Sequence, residues 1–595
     1  MQPSSRIIGV TAAVGAAALL GTGLAAAAPV EWKDCVDVVG TDAPTLPGGR
    51  VVECGTVRVP VDYAHPDGAQ TTVGLTRIKA SSGHAKSTVF GNPGGPGNSA
   101  LGYWLPKDAT TTPELYRDHD LVAVQPRGLY GSNPMQCDPA KIGPVSVNHL
   151  ADACYGTDAA YMRSLTTENV ARDHDAVREA LGVATVDWVG QSYGTAVAAD
   201  YATLFPEHTG RVVLDSNVNP DWRWRTQAEQ TTLAQQSRVY DVFQWIADRD
   251  DYYHLGDTPL KVFHSWKWVT DQEVGGSPNL TPPAAVERDL PVELRGTPLQ
   301  QPVLDVVNST APGRARAEGL GRALLLQDYT NTATTGLFDA TVGATHTEQA
   351  WPMLAHVLRY YNDGGQIPHV GIVQAQKIRQ VRENRPAALQ TDAAMFDIVT
   401  CNESAPADPI GIAAAKVDSA LGGNALVDKA AAQAAGDGCL GWAPPSPNVQ
   451  PSGAGLATPP LILNSERDPL TPMACAERMQ QLMGGDLVAV GGGDHGVFRS
   501  GNQGVDDLVT GYLGGEPVDV SALPGQPSPQ PLPKWDAADR AAAAGRGMAA
   551  QVDDWYGVQQ DNGATAARQV QTGVEQGVAA LRTGLGQMQQ SAPVG

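Results

Sequence analysis

Residues 186–195 read V-D-W-V-G-Q-S-Y-G-T. The first four form a short apolar run, and T-A-V-A-A-D-Y-A-T-L-F (195–205) then has the composition of a helix. Between them Ser192 stands with Gly190 and Gly194 two residues to either side, the pattern G-x-S-x-G. A chain that turns straight from strand to helix brings its own backbone so close that side chains flanking the turn would collide. Glycine at both flanks removes the collision and leaves one hydroxyl exposed at the apex. The alternative, an ordinary serine in a glycine-rich turn, does not account for the strand before it and the helix after it.

The same alternation repeats along the chain. Short apolar runs occur at 87–90, 120–124, 186–189, 211–215, 460–464 and 486–490, each followed by a loop and helix-like sequence. Strands alternating with helices predict a parallel sheet covered on both faces. Ahead of them, valine-rich 51–63 and 71–80 flank H-P-D-G and predict an antiparallel edge hairpin. The long gap between Asp215 and Pro460 is helix-like and rich in Trp222, Trp224, Trp245, Tyr252, Tyr253, Trp266 and Trp268. It predicts a helical cap over 217–400 inserted into a sheet domain made of 29–216 and 401–520. Residues 521–534 read as a proline-rich, extended linker. In the tail 535–595, Val570, Val574, Val578, Leu581, Leu585 and Met588 recur at helical spacing.

A serine hydroxyl is a poor nucleophile without a base and a group that orients the base. Downstream of His369 the sequence holds one histidine, His495, in G-G-G-D-H-G-V-F after the last apolar run. Asp468, in N-S-E-R-D-P-L-T-P, follows the run before it and sits in a loop stiffened by Pro469 and Pro472. Asp494 adjoins the histidine too closely to reach its ring, and Asp215 is a rival acid at the end of another run. For charge developing on a carbonyl oxygen, G-N-P-G-G-P-G (91–97) supplies flexible main chain. The N–H groups of Gly95 and Tyr193 are the expected donors. A phosphate-binding loop is the competing reading, but the stretch lacks a G-K-[ST] ending and its prolines remove donors.

Together these stretches carry a resemblance. G-N-P-G-G-P-G resembles the H-G-G-P-G signature of proline iminopeptidases, with Pro93 where that signature has histidine. Q-P-R-G-L-Y-G-S (125–132), G-Q-S-Y-G-T, N-S-E-R-D-P-L-T-P and G-D-H-G are similar to the secreted tripeptidyl aminopeptidase branch of that α/β-hydrolase family. The resemblance covers roughly residues 35–515. It implies an α/β-hydrolase fold with a helical cap. It also implies a serine exopeptidase that releases short peptides, tripeptides among them, from free N-termini through Ser192, His495 and Asp468, with no metal or cofactor. An esterase or lipase needs the same three residues and is the alternative. A non-catalytic binding protein on the same scaffold would not need that set intact. An exopeptidase must also hold a terminal ammonium. Glu466 is one carboxylate among many candidates, and the cap aromatics serve equally well as a substrate pocket or as the cap's own core.

Composition sets the remaining bounds. A net charge of −22 over 595 residues argues against a nucleic-acid partner. Arg6, an Ala- and Gly-rich apolar stretch and A-A-A-A-P read as a secretory signal peptide over 1–28, which predicts a secreted chain with no permanent membrane span. In an oxidising compartment cysteines pair. Chain proximity suggests Cys35 with Cys54, Cys137 with Cys154 and Cys401 with Cys439, leaving Cys475 over. The cysteine and histidine spacings match no zinc motif.

Overall fold

The computed structural model describes residues 29–39, 46, 50–105, 112–136, 158–274, 279–325, 336–363 and 387–532. The expected signal peptide, the Cys137–Cys154 pair and the helical tail lie outside them.

A ten-stranded sheet runs through the molecule in the order β1-β2-β3-β5-β4-β6-β7-β8-β9-β10. Its strands are β1 (Glu31–Lys33), β2 (Val52–Pro60), β3 (Gln70–Ile78), β4 (Ser87–Asn92) and β5 (His119–Val124), then β6 (Val186–Gln191), β7 (Thr209–Asp215), β8 (Leu461–Ser465), β9 (Asp486–Val490) and β10 (Ala522–Leu523). β1 to β3 pair antiparallel, with Val57 opposite Val73 in the expected hairpin. From β5 through β4 to β10 every neighbouring pair is parallel. The pleat sends adjacent residues to opposite faces. Trp188, Leu214 and Ile462 join one core with Val197 and Tyr201 of the helix Tyr193–Leu204. Val189, Val213 and Leu463 join another with Val505 and Val509 of the helix Gln503–Gly514. Burial on both faces explains why these strands read as continuous apolar runs rather than alternating ones.

After β4 the chain moves to β5 on one side, then returns to β6 on the other. This reversal opens a crevice at the carboxyl ends of β4 and β6, where an open parallel sheet holds its ligands. The loop 92–97 and the Ser192 turn leave the sheet there.

Between β7 and β8 the chain builds the helical cap. Its core packs Val239, Phe243, Ile246, Phe263, Trp266, Trp351 and Leu354. Trp245, Tyr253 and Trp266 are buried within it, so most of the cap aromatics form the cap's own interior. Trp224 instead joins the sheet core, and Trp268 is exposed.

The cap continues past the expected boundary at 400. The helix Ala425–Ala434 buries Leu426 in the cap core, and its partner Pro409–Ala420 packs on it. Thr232 and Arg225 of the helix Arg225–Ala247 bond Gln433 at 2.7 Å and the Ala434 carbonyl at 2.8 Å. These two helices are alanine-rich and lack the aromatics that mark the rest of the cap, so nothing in their composition announces their place.

The proline-rich stretch is extended, but it lies against both parts of the protein. β10 pairs with β9, and Gln526 bonds the Ser500 carbonyl at 2.8 Å. Further on, Trp245 of the cap donates to Ser528 at 3.1 Å, and His356 and Tyr252 meet the Leu532 carbonyl. Up to Leu532 it is a strap from sheet to cap rather than a free linker. Two disulfides join Cys35 to Cys54 and Cys401 to Cys439, as chain proximity suggested, and Cys475 is free and buried.

Candidate active site

Ser192 occupies the turn between β6 and the helix Tyr193–Leu204 with φ 57° and ψ −127°, a conformation that costs a non-glycine residue about 1–3 kcal/mol. Gln191 and Tyr193 are buried while Ser192 keeps partial exposure. The flanking glycines have no room for a side chain. A β-carbon at Gly190 would lie 2.3 Å from the Gly194 carbonyl oxygen, and one at Gly194 would lie 2.2 Å from that of Asn92.

His495 follows β9 and Asp468 follows β8. The His495 Nδ1 lies 2.9 Å from each Asp468 carboxylate oxygen. The carboxylate also accepts the N–H groups of Leu470 and Thr471 at 2.9 and 2.8 Å, which fix its plane. The Thr471 hydroxyl lies 3.3 Å from the same ring nitrogen. Both partners are almost completely buried. Burial alone would raise the Asp468 pKa, but the facing imidazole and the donated hydrogen bonds outweigh it and hold the carboxyl below its ordinary value. Burial likewise disfavours the His495 cation, and the Asp468 charge and hydrogen bond, assisted by Asp215, win and raise the imidazole above its ordinary value. The His495 loop meets the serine turn at Gly496, where a β-carbon would lie 2.4 Å from Gln191 Nε2.

The two other aspartates face elsewhere. Asp494 accepts the N–H of Glu348, from the cap, at 2.8 Å. Asp215 bonds the main chain of Val497 and Phe498 and the side chain of Gln191.

The glycine loop after β4 presses on the serine turn. A β-carbon at Gly94 would lie 2.8 Å from the Tyr193 nitrogen and 3.0 Å from the Ser192 β-carbon. The Gly94 N–H is already taken, donating to Asn92 Oδ1 at 2.9 Å. Among the described residues no hydrogen bond uses the N–H of Gly95 or of Tyr193, and the latter begins its helix, where no intrahelical acceptor exists. Two unused donors therefore lie on different elements, Tyr193 next to the serine in the chain and Gly95 on the loop whose Gly94 packs against the serine turn.

The cap reaches His495 directly. The His346 carbonyl accepts the His495 N–H at 2.8 Å, and the two rings meet edge to face at 6.5 Å. Burial pulls the His346 pKa down to about 4, so this second ring stays neutral beside His495. Below it Arg238, in the cap, pairs with Glu348 at 2.7 Å and Asp241 at 3.0 Å and packs where a β-carbon of Gly493 would sit, 2.5 Å from its Cζ. Glu466 is exposed on the surface. A buried carboxylate absent from the sequence reading is Glu403. It accepts from Trp224 Nε1 at 2.6 Å and Thr167 Oγ1 at 3.0 Å, and Thr167 in turn meets the Tyr193 hydroxyl at 3.1 Å. His346 and Glu403 carry no local sequence signal, since each acts through partners distant along the chain, whereas Asn92 lies within the glycine loop and bonds Gly94 two residues on. Among the described residues no three histidine, cysteine or acidic side chains converge in a set fit for a metal ion.

A family model described as alpha/beta hydrolase fold matches residues 88–250, and one described as TAP-like protein matches 425–520. A tripeptidyl aminopeptidase of Streptomyces coelicolor is 33% identical over 276 residues, 42% of this chain and 49% of that protein. The chain thus spans about half the length of that relative. Serine protease Hip1 of Mycobacterium tuberculosis is 26% identical over 513 residues, covering 82% of this chain and 88% of its own. A carboxylesterase B of the same organism is 26% identical over 528 residues, covering 83% and 90%. With the strand order, the serine turn and the family models in agreement, the chain has the α/β-hydrolase fold.

Proposed function

We propose that this protein is a serine peptidase that removes short peptides, tripeptides in particular, from free N-termini. The observation that carries the reading is the buried His495–Asp468 pair, bonded at 2.9 Å, whose histidine sits on the loop that packs against the Ser192 turn. Relatives named tripeptidyl aminopeptidase and serine protease support peptide substrates.

In this reading His495 takes the proton of Ser192 as the serine oxygen attacks the scissile carbonyl carbon. Asp468 holds the proton on Nδ1, so the other ring nitrogen is the base. The N–H groups of Gly95 and Tyr193 bind the oxyanion. The tetrahedral adduct collapses, the C–N bond breaks, and His495 gives its proton to the leaving amine. Water, deprotonated by His495, then attacks the acyl-enzyme and releases the short peptide with a new carboxylate. The signal-like residues 1–28 and two disulfides support an extracytoplasmic location. Among the described residues no helix is long and apolar enough to cross a membrane.

An esterase with the same chemistry is the second reading, favoured by the relative named carboxylesterase B. Three chromogenic substrates separate the two: a free-amine tripeptide anilide, its N-acylated twin and a short-chain nitrophenyl ester, each also tested with Ser192→Ala. Serine-dependent cleavage of the free-amine anilide but not its twin is the expected result. Ester hydrolysis without anilide hydrolysis would overturn the peptidase reading.

A further inference from the structure

Asp215, at the end of β7, is completely buried and has no part in the mechanism above. Its bonds run in two directions. Toward the serine turn, its main-chain carbonyl accepts the Ser192 N–H at 2.9 Å, and its Oδ2 accepts Gln191 Nε2 at 2.9 Å. Toward the base loop, Oδ1 accepts the N–H of Val497 at 3.1 Å and Oδ2 that of Phe498 at 3.0 Å. The adjoining Ser216, itself held at φ 57°, donates to Asp215 Oδ1 at 3.2 Å and accepts the Gly496 N–H at 2.8 Å. The three successive N–H groups after His495 therefore end on Asp215 and Ser216, and both residues leading into the serine turn end on Asp215.

A buried carboxylate costs several kcal/mol unless its lone pairs are filled. Here donors from two otherwise separate loops fill them, so the carboxylate keeps its place only while both loops keep theirs. We propose that Asp215 is a positioning residue that sets the separation and orientation of Ser192 and His495 by tying the nucleophile's turn and the base's loop to one carboxylate. The proposal rests on the reading of Ser192 as nucleophile and His495 as base. It predicts an electrostatic as well as a geometric effect. The groups against the His495 ring are Asp468 and Thr471 from the β8 loop and His346 from the cap, with the Asp215 charge of β7 acting on it electrostatically; Asp494 beside it is turned to Glu348. Of these, the two aspartates Asp468 and Asp215 raise the imidazole pKa. The Asp215 charge acts on Tyr103 as well as on His495.

The test uses the full chain and the rate at which a fluorophosphonate labels Ser192, followed from about pH 5 to about pH 9, the span in which a histidine titrates. This readout is independent of peptide or ester preference. Asp215→Asn must turn an amide NH2 toward one pair of existing donors. Labelling about 100-fold slower is expected, the loss that follows a misplacement of roughly 1 Å, with the acid-side midpoint moved to lower pH. Gln191→Met cuts only the carboxylate's bond to the serine turn, leaving the Ser192 N–H on the Asp215 carbonyl, and should slow labelling several-fold with the midpoint unmoved. A packing role alone would lower the melting temperature and leave the midpoint in place. Folded Asp215→Asn labelled at the wild-type rate, or slowed with an unmoved midpoint, overturns the proposal. If Asp215→Asn does not fold, an unchanged rate in Gln191→Met overturns it. A wild-type chain that resists the probe would instead sink the serine-hydrolase reading, and this proposal with it.

Discussion

The α-carbon of Gly194 lies against the carbonyl of Asn92, so that a β-carbon would come within 2.2 Å of the oxygen. This one approach brings the turn that carries Ser192 onto the end of β4, from which the Gly94–Gly95 loop departs. Gly194→Ala should therefore both destabilise the fold and separate the serine from its donor loop. Overpacking of this kind costs about 1–3 kcal/mol. Denaturant unfolding should show that loss, with activity reduced beyond what the unfolded fraction explains. Wild-type activity in the folded variant would refute the close-approach argument.

The three residues at the site should fail together. Ser192→Ala or His495→Ala is expected to reduce kcat by roughly 10⁴- to 10⁶-fold, and Asp468→Asn by about 10⁴-fold through the wrong tautomer. The double variant Ser192→Ala/His495→Ala should be no worse than either single change, because the groups act as one unit. Multiplicative losses would argue against a shared proton transfer.

Activity should depend on pH through His495. The imidazole is raised above its ordinary value of about 6.5, with the neighbouring Asp468 charge overcoming the effect of burial. A general base must be neutral, so kcat/KM should rise with pH through a midpoint above that ordinary value. The linkage to stability has the opposite sense. The raised His495 contributes stability fully below its unfolded pKa, and that contribution is lost as pH rises through the folded pKa. The depressed Asp468 contributes above its unfolded pKa and loses its share as pH falls through the folded one. A kcat/KM midpoint below the ordinary histidine value would contradict the pairing seen here.

Arg238 ties the cap to the His495 loop, and its removal takes the guanidinium from Glu348, while Asp241 keeps Arg467. Breaking one partner of a fully buried pair costs about 3–5 kcal/mol. Both carboxylates retain some exposure, so the loss in Arg238→Met should fall below that range. The kcat should drop as well, since Glu348 also donates its N–H to Asp494 beside His495. Thermal unfolding and steady-state kinetics on the same preparation check both effects. An unchanged kcat would show that the base loop holds its place without the cap.

The strap from β10 to Leu532 should govern how firmly the cap sits. A chain ending at Leu523 loses the bonds of Gln526, Ser528 and Leu532 to Ser500, Trp245 and His356. Hydrogen exchange should accelerate in the helices Arg225–Ala247 and Trp351–Asn362 and stay unchanged in β6 and β7. Unaltered exchange in the cap would make the strap an ornament of the surface.

The sequence alone determined whatever depends on neighbours in the chain. The strand runs, the Ser192 turn with its two glycines, the glycine loop and the histidine and aspartate after the last parallel strands were legible because sterics and hydrophobic patterning act over a few residues. β1 and β10, three and two residues long, were not, because such short edges exist only by pairing with a strand already in place. Tertiary structure decided what depends on partners hundreds of residues apart. It extended the cap into the alanine-rich helices 409–434, where small side chains permit close approach without announcing it. It folded the proline-rich stretch onto the cap. It also separated two aspartates that look alike in sequence. Asp468 faces the imidazole, while Asp215 fills its lone pairs with main-chain N–H groups from a loop about 280 residues further along. Local pattern can say that a carboxylate ends a strand, but only the donors that meet it in the folded chain decide what it does.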